Sequence, residues 1–191
     1  MSDPLIRAVG IKNAAGANVG RPSEQWHVFD ATAGLGRDAF LFAWAGCHVT
    51  AIERSVVLSA LLEDGRRRAL LDVEVGPIVA ERLSFIRGDA REVLARLSEV
   101  QRPDAIYIDP MFPHRTKSAA SKKEMQLTRR VAGDDPDAAE LLEMARQVAL
   151  HRVVVKRWLH APPLAPKPTV QYTGQSIRYD VYLVNVAAHG R

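Results

Sequence analysis

The chain has 191 residues, of which 47% are hydrophobic and 25% are charged, and its formal net charge is +4. These values are typical of one soluble globular domain with a substantial core, and no apolar run is long enough to span a membrane. The single cysteine, Cys47, excludes an internal disulfide and a cysteine-based metal cluster. Because the first residues lack a charged-then-apolar signal pattern, we expect a cytoplasmic protein with no membrane and no metal among its partners.

Strand and helix patterns alternate after residues 1–25, a lead-in segment that is rich in Gly, Ala, Asn and Pro. The predicted strands cover 26–31, 47–52, 82–87, 104–108, 151–156 and 177–186, and a pairing of the last one with 169–173 adds a seventh. The predicted helices cover 37–45, ended by Gly46, then 55–70 with Ser55 as N-cap, 90–97 and 137–150. The alternation predicts an α/β fold, a doubly wound and mostly parallel sheet, in a domain that covers 26–191.

Four successive predicted strands end in an acidic side chain, namely Asp30, Glu53, Asp89 and Asp109. In a doubly wound sheet these ends meet at the carboxyl edge, where ligands bind. One acid at a strand end is common, but four would repel one another if nothing separated them. The series therefore favours a polar ligand that lies along this edge.

The turn after the first strand contains Gly34 and Gly36, which with Ala39 match the dinucleotide fingerprint G-x-G-x-x-G/A. A nicotinamide enzyme is therefore one interpretation. Two details count against it, because the first glycine follows the strand at a distance and because Asp30 would repel a pyrophosphate. The match alone is weak.

S-adenosylmethionine fits the same edge better, because it carries an ammonium and a sulfonium and no phosphate. In this interpretation Glu53 accepts hydrogen bonds from the ribose hydroxyls and Asp89 accepts one from the adenine amine. Arg37 balances the carboxylate of the ligand, and Asp38 lies beside it at the start of the helix. Each residue has an ordinary alternative role as a helix cap or in a surface ion pair.

Residues 106–115 combine a buried strand, an acid, a proline, an aromatic residue and a basic loop. A carboxylate at Asp109 and the Pro110 carbonyl are suited to accept hydrogen bonds from the exocyclic amine of a nucleobase. The Phe112 ring is suited to stack on that base. Taken alone, these residues favour a structural turn at the end of a strand.

The positive charge of the chain is concentrated in residues 113–130, which contain six basic residues against the single acid Glu124. With His114, the candidate RNA-binding residues are Arg115, Lys117, Lys122, Lys123, Arg129 and Arg130. A solvated loop is the usual role of such a charge run. Its position directly after Phe112 also fits a polyanionic substrate.

Two long segments, 30–40 (DATAGLGRDAF) and 107–114 (YIDPMFPH), are far more specific than a generic methyltransferase signature. Shorter segments of the same pattern are 8–12, 53–55, 60–65, 117–119, 122–125, 152–157 and 161–165. Together they cover nearly the whole chain and resemble the bacterial small-subunit ribosomal RNA guanine-N2 methyltransferase J family. Members of that family often have a longer leading segment, so we expect any RNA contacts of such a segment to be absent or made elsewhere.

The resemblance implies a Rossmann-like class I methyltransferase fold, with a seven-stranded, mostly parallel sheet and helices on both faces. It implies S-adenosylmethionine as cofactor, S-adenosylhomocysteine as product, and the N2 of a guanine in 16S rRNA, free or in the small ribosomal subunit, as methyl acceptor. The cofactor contacts of the family correspond here to Arg37, Asp38, Glu53, Arg54, Asp89, Ala90 and Asp109. The residue pattern adds Asp30, Gly34 and Gly36.

The expected reaction is a direct displacement in which the guanine N2 attacks the methyl carbon, with Asp109, Pro110 and Phe112 as catalytic residues. Three alternatives stay open at this point. The chain could methylate another substrate, such as DNA, another RNA, a protein or a small molecule, although the basic segment disfavours a small molecule. It could also be a non-catalytic RNA-binding module, and a nicotinamide enzyme is the most distant alternative.

Overall fold

The computed structural model describes residues 3–11, 26–110 and 137–184. In chain order the elements are α1 (Pro4–Ala8), β1 (His27–Asp30), α2 (Arg37–Trp44), β2 (His48–Glu53), α3 (Val56–Ala69), α4 (Gly76–Arg82), β3 (Leu83–Arg87), α5 (Ala90–Ala95), a 3-10 turn (Glu99–Gln101), β4 (Ala105–Ile108), α6 (Ala138–Val148), β5 (Arg152–Trp158), β6 (Val170–Thr173) and β7 (Ile177–Leu183). Among these elements, no helix is both long and apolar enough to cross a membrane.

The seven strands form one sheet in the order β3-β2-β1-β4-β5-β7-β6. Neighbours from β3 to β5 pair in parallel, whereas β7 is antiparallel to both β5 and β6. Parallel neighbours need crossover connections, which the helices supply. The sheet confirms the predicted mostly parallel, seven-stranded Rossmann-like fold.

The two faces of the sheet bury two separate apolar clusters. Along β1, Val28 belongs to one cluster and Phe29 to the other, because successive side chains of a strand point to opposite faces. Helices α1 and α2 contribute to the Val28 cluster, and α5 and α6 contribute to the Phe29 cluster. The central strand β4 is buried along its whole length, as expected for a strand covered on both faces. Helices on both faces are thus confirmed.

Each predicted strand, and each of the four helices predicted after residue 25, has an observed counterpart whose bounds differ by at most three residues. Ser55 caps α3 as predicted, since its Oγ accepts a hydrogen bond from the Leu58 N–H at 3.4 Å. The sequence pattern missed α4, a seven-residue helix that opens with Gly76 and Pro77. Arg82, predicted to begin the third strand, ends this helix instead. The boundary predicted at residue 25 stays a prediction.

The amino edge of the sheet holds an enclosed polar group. The side chain of Asp104, which is 3% exposed, accepts a hydrogen bond from the His27 N–H at 2.9 Å. Its other oxygen lies 3.4 Å from Nε2 of His151, whose ring stacks on Trp26 at 5.3 Å. The Trp26 indole N–H donates to the carbonyl of Val9 at 3.1 Å. These contacts tie α1 and three strand ends together.

Candidate active site

Ionisable side chains at or near the carboxyl ends of five neighbouring strands border one cleft of about 270 Å³ at this edge of the sheet. Across the sheet their order is Asp89, Glu53, Asp30, Asp109 and Lys156. The structure therefore brings the four predicted acids together and adds a lysine. The other polar or charged residues that line the cleft include Thr32, Arg37, Asp38, Arg54, Arg91, Tyr107 and Asp137.

The glycine turn between β1 and α2 forms one wall of the cleft. Gly34 and Gly36 both have left-handed backbones, with φ of 56° and 77°. A Cβ on Gly36 would collide with the tip of the Leu62 side chain on α3, so a larger residue there would also have to displace that side chain. Around a Cβ on Gly34, by contrast, the nearest atom would be the Thr32 carbonyl oxygen at 4.0 Å. Gly34 lines the cleft, whereas Gly36 shapes the turn behind it.

Glu53 connects the end of β2 to the glycine turn. One of its carboxylate oxygens accepts a hydrogen bond from the Gly34 N–H at 2.7 Å, and the other accepts one from the Ser55 N–H at 2.7 Å. Only 6% of the residue is exposed. Two backbone donors compensate the buried charge of this acid and fix the position of its carboxylate.

Lys156 joins two acids at the β5 end of the cleft. Its Nζ donates to Oδ2 of Asp109 at 2.9 Å and to Oδ2 of Asp38 at 3.0 Å. The Tyr107 hydroxyl also donates to Asp38, at 2.5 Å. The backbone N–H of Asp109 donates to Oγ1 of Thr32 at 2.7 Å, which ties the end of β4 to the glycine turn. The Asp109 side chain is 38% exposed, so a ligand in the cleft can reach its carboxylate.

Two buried groups beneath this cluster favour their neutral forms. Burial, together with the nearby carboxylates of Asp38 and Asp109, raises the pKa of Asp30 well above its usual range. The same influences raise the pKa of the Tyr107 phenol, which stays a hydrogen-bond donor. For Lys156, burial lowers the pKa, but the carboxylates of Asp109 and Asp38 outweigh it and raise the pKa overall. Lys156 is therefore an ammonium at neutral pH.

The opposite end of the cleft contains a second charged network. Asp89 caps α5 and accepts hydrogen bonds from the Arg91 guanidinium at 2.8 and 3.1 Å, which lower the pKa of Asp89. Arg91 also lies 2.9 Å from Asp137 and 2.6 Å from Glu140. Asp137 accepts a further hydrogen bond from Arg54 at 2.8 Å. This network holds the Asp89 carboxylate at the cleft wall.

The residues present fit S-adenosylmethionine. The lining of the cleft also includes the apolar side chains of Leu58, Ala90 and Leu141, which suit the faces of an adenine ring. The backbone at Gly34 is open to a ligand, and the buried Glu53 carboxylate matches ribose hydroxyl donors. The specific contacts assigned from the sequence to Arg37, Arg54 and Asp89 stay predictions.

Part of the predicted site lies outside the described residues. Pro110 follows Asp109 and lines the cleft, as the sequence predicts. The prediction for Phe112 falls outside the described part of the chain, so its stacking role stays a prediction. The same holds for the candidate RNA contacts His114, Arg115, Lys117, Lys122, Lys123, Arg129 and Arg130.

Several residues of the cleft had no role predicted from the sequence, namely Thr32, Arg91, Tyr107, Asp137 and Lys156. Lys156 could have been found by the rule that identified the acids, since it ends the strand predicted over 151–156. Thr32, Arg91, Tyr107 and Asp137 carried no comparable local signal. Within the described residues, no group of three or more His, Cys, Asp or Glu side chains is arranged to hold a metal ion.

Comparison with known proteins gives the same family from sequence and from structure. A family model with the description "Putative SAM-dependent methyltransferase" matches residues 2–184. The chain is 51% identical over 183 residues to the ribosomal RNA small subunit methyltransferase J of Thioalkalivibrio sulfidiphilus, a match that covers 95% of this chain and 68% of that protein. A protein of the same name from Pseudomonas fluorescens is 53% identical over 179 residues, which cover 93% of this chain and 65% of that one.

A solved structure extends the comparison to three dimensions. The crystal structure of a SAM-dependent methyltransferase from Neisseria gonorrhoeae matches with a TM-score of 0.68 and 41% sequence identity. The match covers 86% of this chain and 65% of that chain. The chain thus spans about two thirds of the length of the relatives that it matches.

Proposed function

We infer that this chain, which belongs to the SAM-dependent methyltransferase family and within it to the ribosomal RNA small subunit methyltransferase J proteins, is an RNA methyltransferase. The reaction that we propose is methyl transfer to the exocyclic N2 of a guanine in 16S rRNA, in the cytoplasm. The observation that carries the proposal is the position of Asp109 and Pro110 at the same cleft as Glu53 and Asp89. The cofactor-side acids and the base-binding acid thus share one cavity.

Glu53, Gly34, Arg37 and Asp89 are the residues that would hold the cofactor. When bound, S-adenosylmethionine supplies a methyl group made electrophilic by its sulfonium. The protein contributes position and electrostatics, because Glu53 and Asp89 are fixed by backbone or guanidinium donors before any ligand enters.

Asp109 and Pro110 would act on the guanine. The exocyclic amine is a poor nucleophile, because its lone pair is delocalised into the ring. Hydrogen bonds from its N–H groups to the Asp109 carboxylate and the Pro110 carbonyl favour a more tetrahedral nitrogen with an available lone pair. Holding that nitrogen in line with the methyl group supplies much of the rate, on the order of several kcal/mol. Asp109 or a water molecule accepts the proton that the nitrogen then loses.

Residues 112–130 complete the proposed substrate side. Stacking of Phe112 on the base would contribute about 1–3 kcal/mol. A guanine inside a duplex would have to leave the stack to reach Asp109. The basic residues would hold the phosphates on either side. Replacement of both Lys122 and Lys123 by Ala is then expected to weaken RNA binding and to flatten its dependence on salt, by roughly 0.7–0.9 in the log-log slope for each phosphate that is no longer neutralised.

The experiment uses this chain of 191 residues with labelled S-adenosylmethionine. Three substrates would be compared, namely 16S rRNA and small ribosomal subunits from cells lacking the modification, and a DNA duplex of matched length. Nucleoside mass spectrometry of the labelled product should find N2-methylguanosine at one position of the rRNA. Cofactor binding without transfer to either RNA substrate would refute the proposal, and transfer to DNA would identify a different substrate class.

A further inference from the structure

Lys156 is a charged residue of the cleft to which the proposed mechanism gives no role. It lies on β5, next to the strand end that carries Asp109, because Val155 is in register with Ile108. Its ammonium contacts Asp38 at the start of α2 and Asp109 after β4, and it is 23% exposed. One cation therefore bridges a residue of the cofactor side and the acid that is proposed to bind the base.

Lys156, Asp38 and Asp109 together carry more negative than positive charge. Two carboxylates against one ammonium leave one net negative charge at the wall of a half-enclosed cleft, where charges interact more strongly than in bulk water. S-adenosylmethionine differs from S-adenosylhomocysteine by one methyl group and one positive charge. An electrostatic preference for substrate over product thus depends on the net charge of this wall.

We propose that Lys156 is a positioning residue that holds the Asp109 carboxylate toward the base and sets the charge by which the cleft distinguishes the sulfonium cofactor from its neutral product. The inference rests on the proposed function, since both ligands are those of a methyltransferase. With Lys156 in place, one negative charge favours the cofactor. Without it, two carboxylates would favour the cofactor more strongly but would orient the base less well.

Affinity measurements test the charge part separately from the activity. We would determine the dissociation constants of S-adenosylmethionine and S-adenosylhomocysteine by calorimetry for the wild-type chain, Lys156→Met and Lys156→Arg. The ratio tested is the Kd of S-adenosylhomocysteine divided by the Kd of S-adenosylmethionine. It should rise on the order of tenfold in Lys156→Met and stay near the wild-type value in Lys156→Arg. Lys167→Met, which removes a lysine outside the cleft, is the matched control and should leave both constants unchanged.

A second variant moves the ratio in the opposite direction. Asp109→Asn leaves one carboxylate against one ammonium, so the ratio should fall. The double variant Lys156→Met with Asp109→Asn should return toward the wild-type ratio, because the net charge is restored. If Lys156→Met does not fold, the Asp109→Asn arm decides the same point. An unchanged ratio in Asp109→Asn, or in a folded Lys156→Met, overturns the charge assignment.

The positioning part is read from kinetics with the RNA substrate. Lys156→Met should lower kcat on the order of a hundredfold while the KM for RNA changes little, and Lys156→Arg should recover part of kcat. A loss that appears only in KM overturns this part. If the wild-type chain methylates RNA but no variant shifts the ratio or kcat, the inference fails and the proposed function stands. If the ratios shift as expected but no RNA is methylated, the proposed function fails and the charge assignment stands.

Discussion

The two edges of the same sheet each hold buried or half-buried acids, but the surroundings of these acids differ. At the amino edge, Asp104 is enclosed by the His27 backbone and the His151 ring. At the carboxyl edge, Glu53 and Asp109 also have fixed partners, yet both border a cleft. Burial of charge therefore does not identify a site by itself. What distinguishes the carboxyl edge is that its compensated acids face a space that a ligand can fill.

The groups that contact Asp104 and Asp109 differ as well. Asp104 accepts a hydrogen bond from the backbone N–H of His27 and lies beside the His151 ring. The Asp109 carboxylate accepts a hydrogen bond from the ammonium of Lys156, which contacts Asp38 as well. The amino edge is thus expected to contribute mainly to stability, and the carboxyl edge mainly to binding and catalysis.

The strongest test of this division is Asp109→Ala. Loss of the carboxylate that accepts from the guanine amine should reduce methyl transfer on the order of a thousandfold. Cofactor affinity should fall much less, because Glu53 and the glycine turn are untouched. Initial rates with RNA, cofactor titration and thermal unfolding would be measured on the same preparation. Full activity would show that Asp109 is no more catalytic than Asp104.

Glu53→Gln tests the cofactor end of the same edge. The glutamine amide has only one acceptor oxygen. It can accept from the N–H of Gly34 or of Ser55, but its NH2 group then faces the other donor. Cofactor affinity should fall by about 10–100-fold, as expected for losing hydrogen bonds to a charged group. Calorimetry measures the change, and Glu143→Gln on the exposed surface of α6 is the matched control. Equal affinity in both variants would remove Glu53 from the binding site.

Asp104→Asn tests the other edge. The amide can still accept from the His27 N–H, but the charge beside His151 is lost, so the free energy of unfolding should fall by about 1–3 kcal/mol. Denaturant unfolding measures that change. Below the unfolding transition, affinity for the cofactor should match that of the wild type. A specific loss of cofactor affinity without a loss of stability would contradict the division between the edges.

Asp30→Asn gives the smallest expected effect and has a characteristic pH dependence. Since the folded protein raises the pKa of Asp30 above the ordinary value of 3.8, the neutral carboxyl stabilises the fold below that value. This contribution is lost as the pH rises through the folded-state pKa. An asparagine cannot ionise and keeps an acceptor for the Thr32 N–H, so the variant should be more stable than the wild type near pH 8.

The melting temperature should rise by about 2–4 °C for each kcal/mol gained. The difference should vanish at about pH 3, below the ordinary pKa of 3.8, because Asp30 is then neutral in both the folded and the unfolded chain. Thermal unfolding at the two pH values measures it. A difference that is independent of pH would mean that Asp30 does not carry a shifted pKa.

The sequence predicted the sheet and the acids well because both follow from local patterns. The apolar runs of β1 and β4, the capping serine at Ser55 and the acids at the strand ends are all features of adjacent residues. The α4 helix was missed because it is only seven residues long and its first residues, Gly76 and Pro77, are also typical of a turn.

The contacts between distant segments could not be predicted in the same way. Lys156 lies 118 residues from Asp38 and 47 from Asp109, and only the sheet order brings these three together. The hydrogen bond of Glu53 to Gly34 in the glycine turn depends likewise on β2 lying next to β1. Sequence patterns identified which residues were unusual, but the partners that define their chemistry required the fold.

The two backbone hydrogen bonds accepted by Glu53 have a kinetic consequence. The bond from Ser55 fixes the carboxylate, and the bond from Gly34 ties the glycine turn to it, so the cofactor does not have to order that backbone, which would otherwise cost about 1–2 kcal/mol per residue. Amide hydrogen exchange at Gly34 should already be slow in the ligand-free protein and change little on cofactor binding. Entry of the cofactor is then expected to follow single-step association kinetics, as capture by a preformed site rather than folding around a ligand.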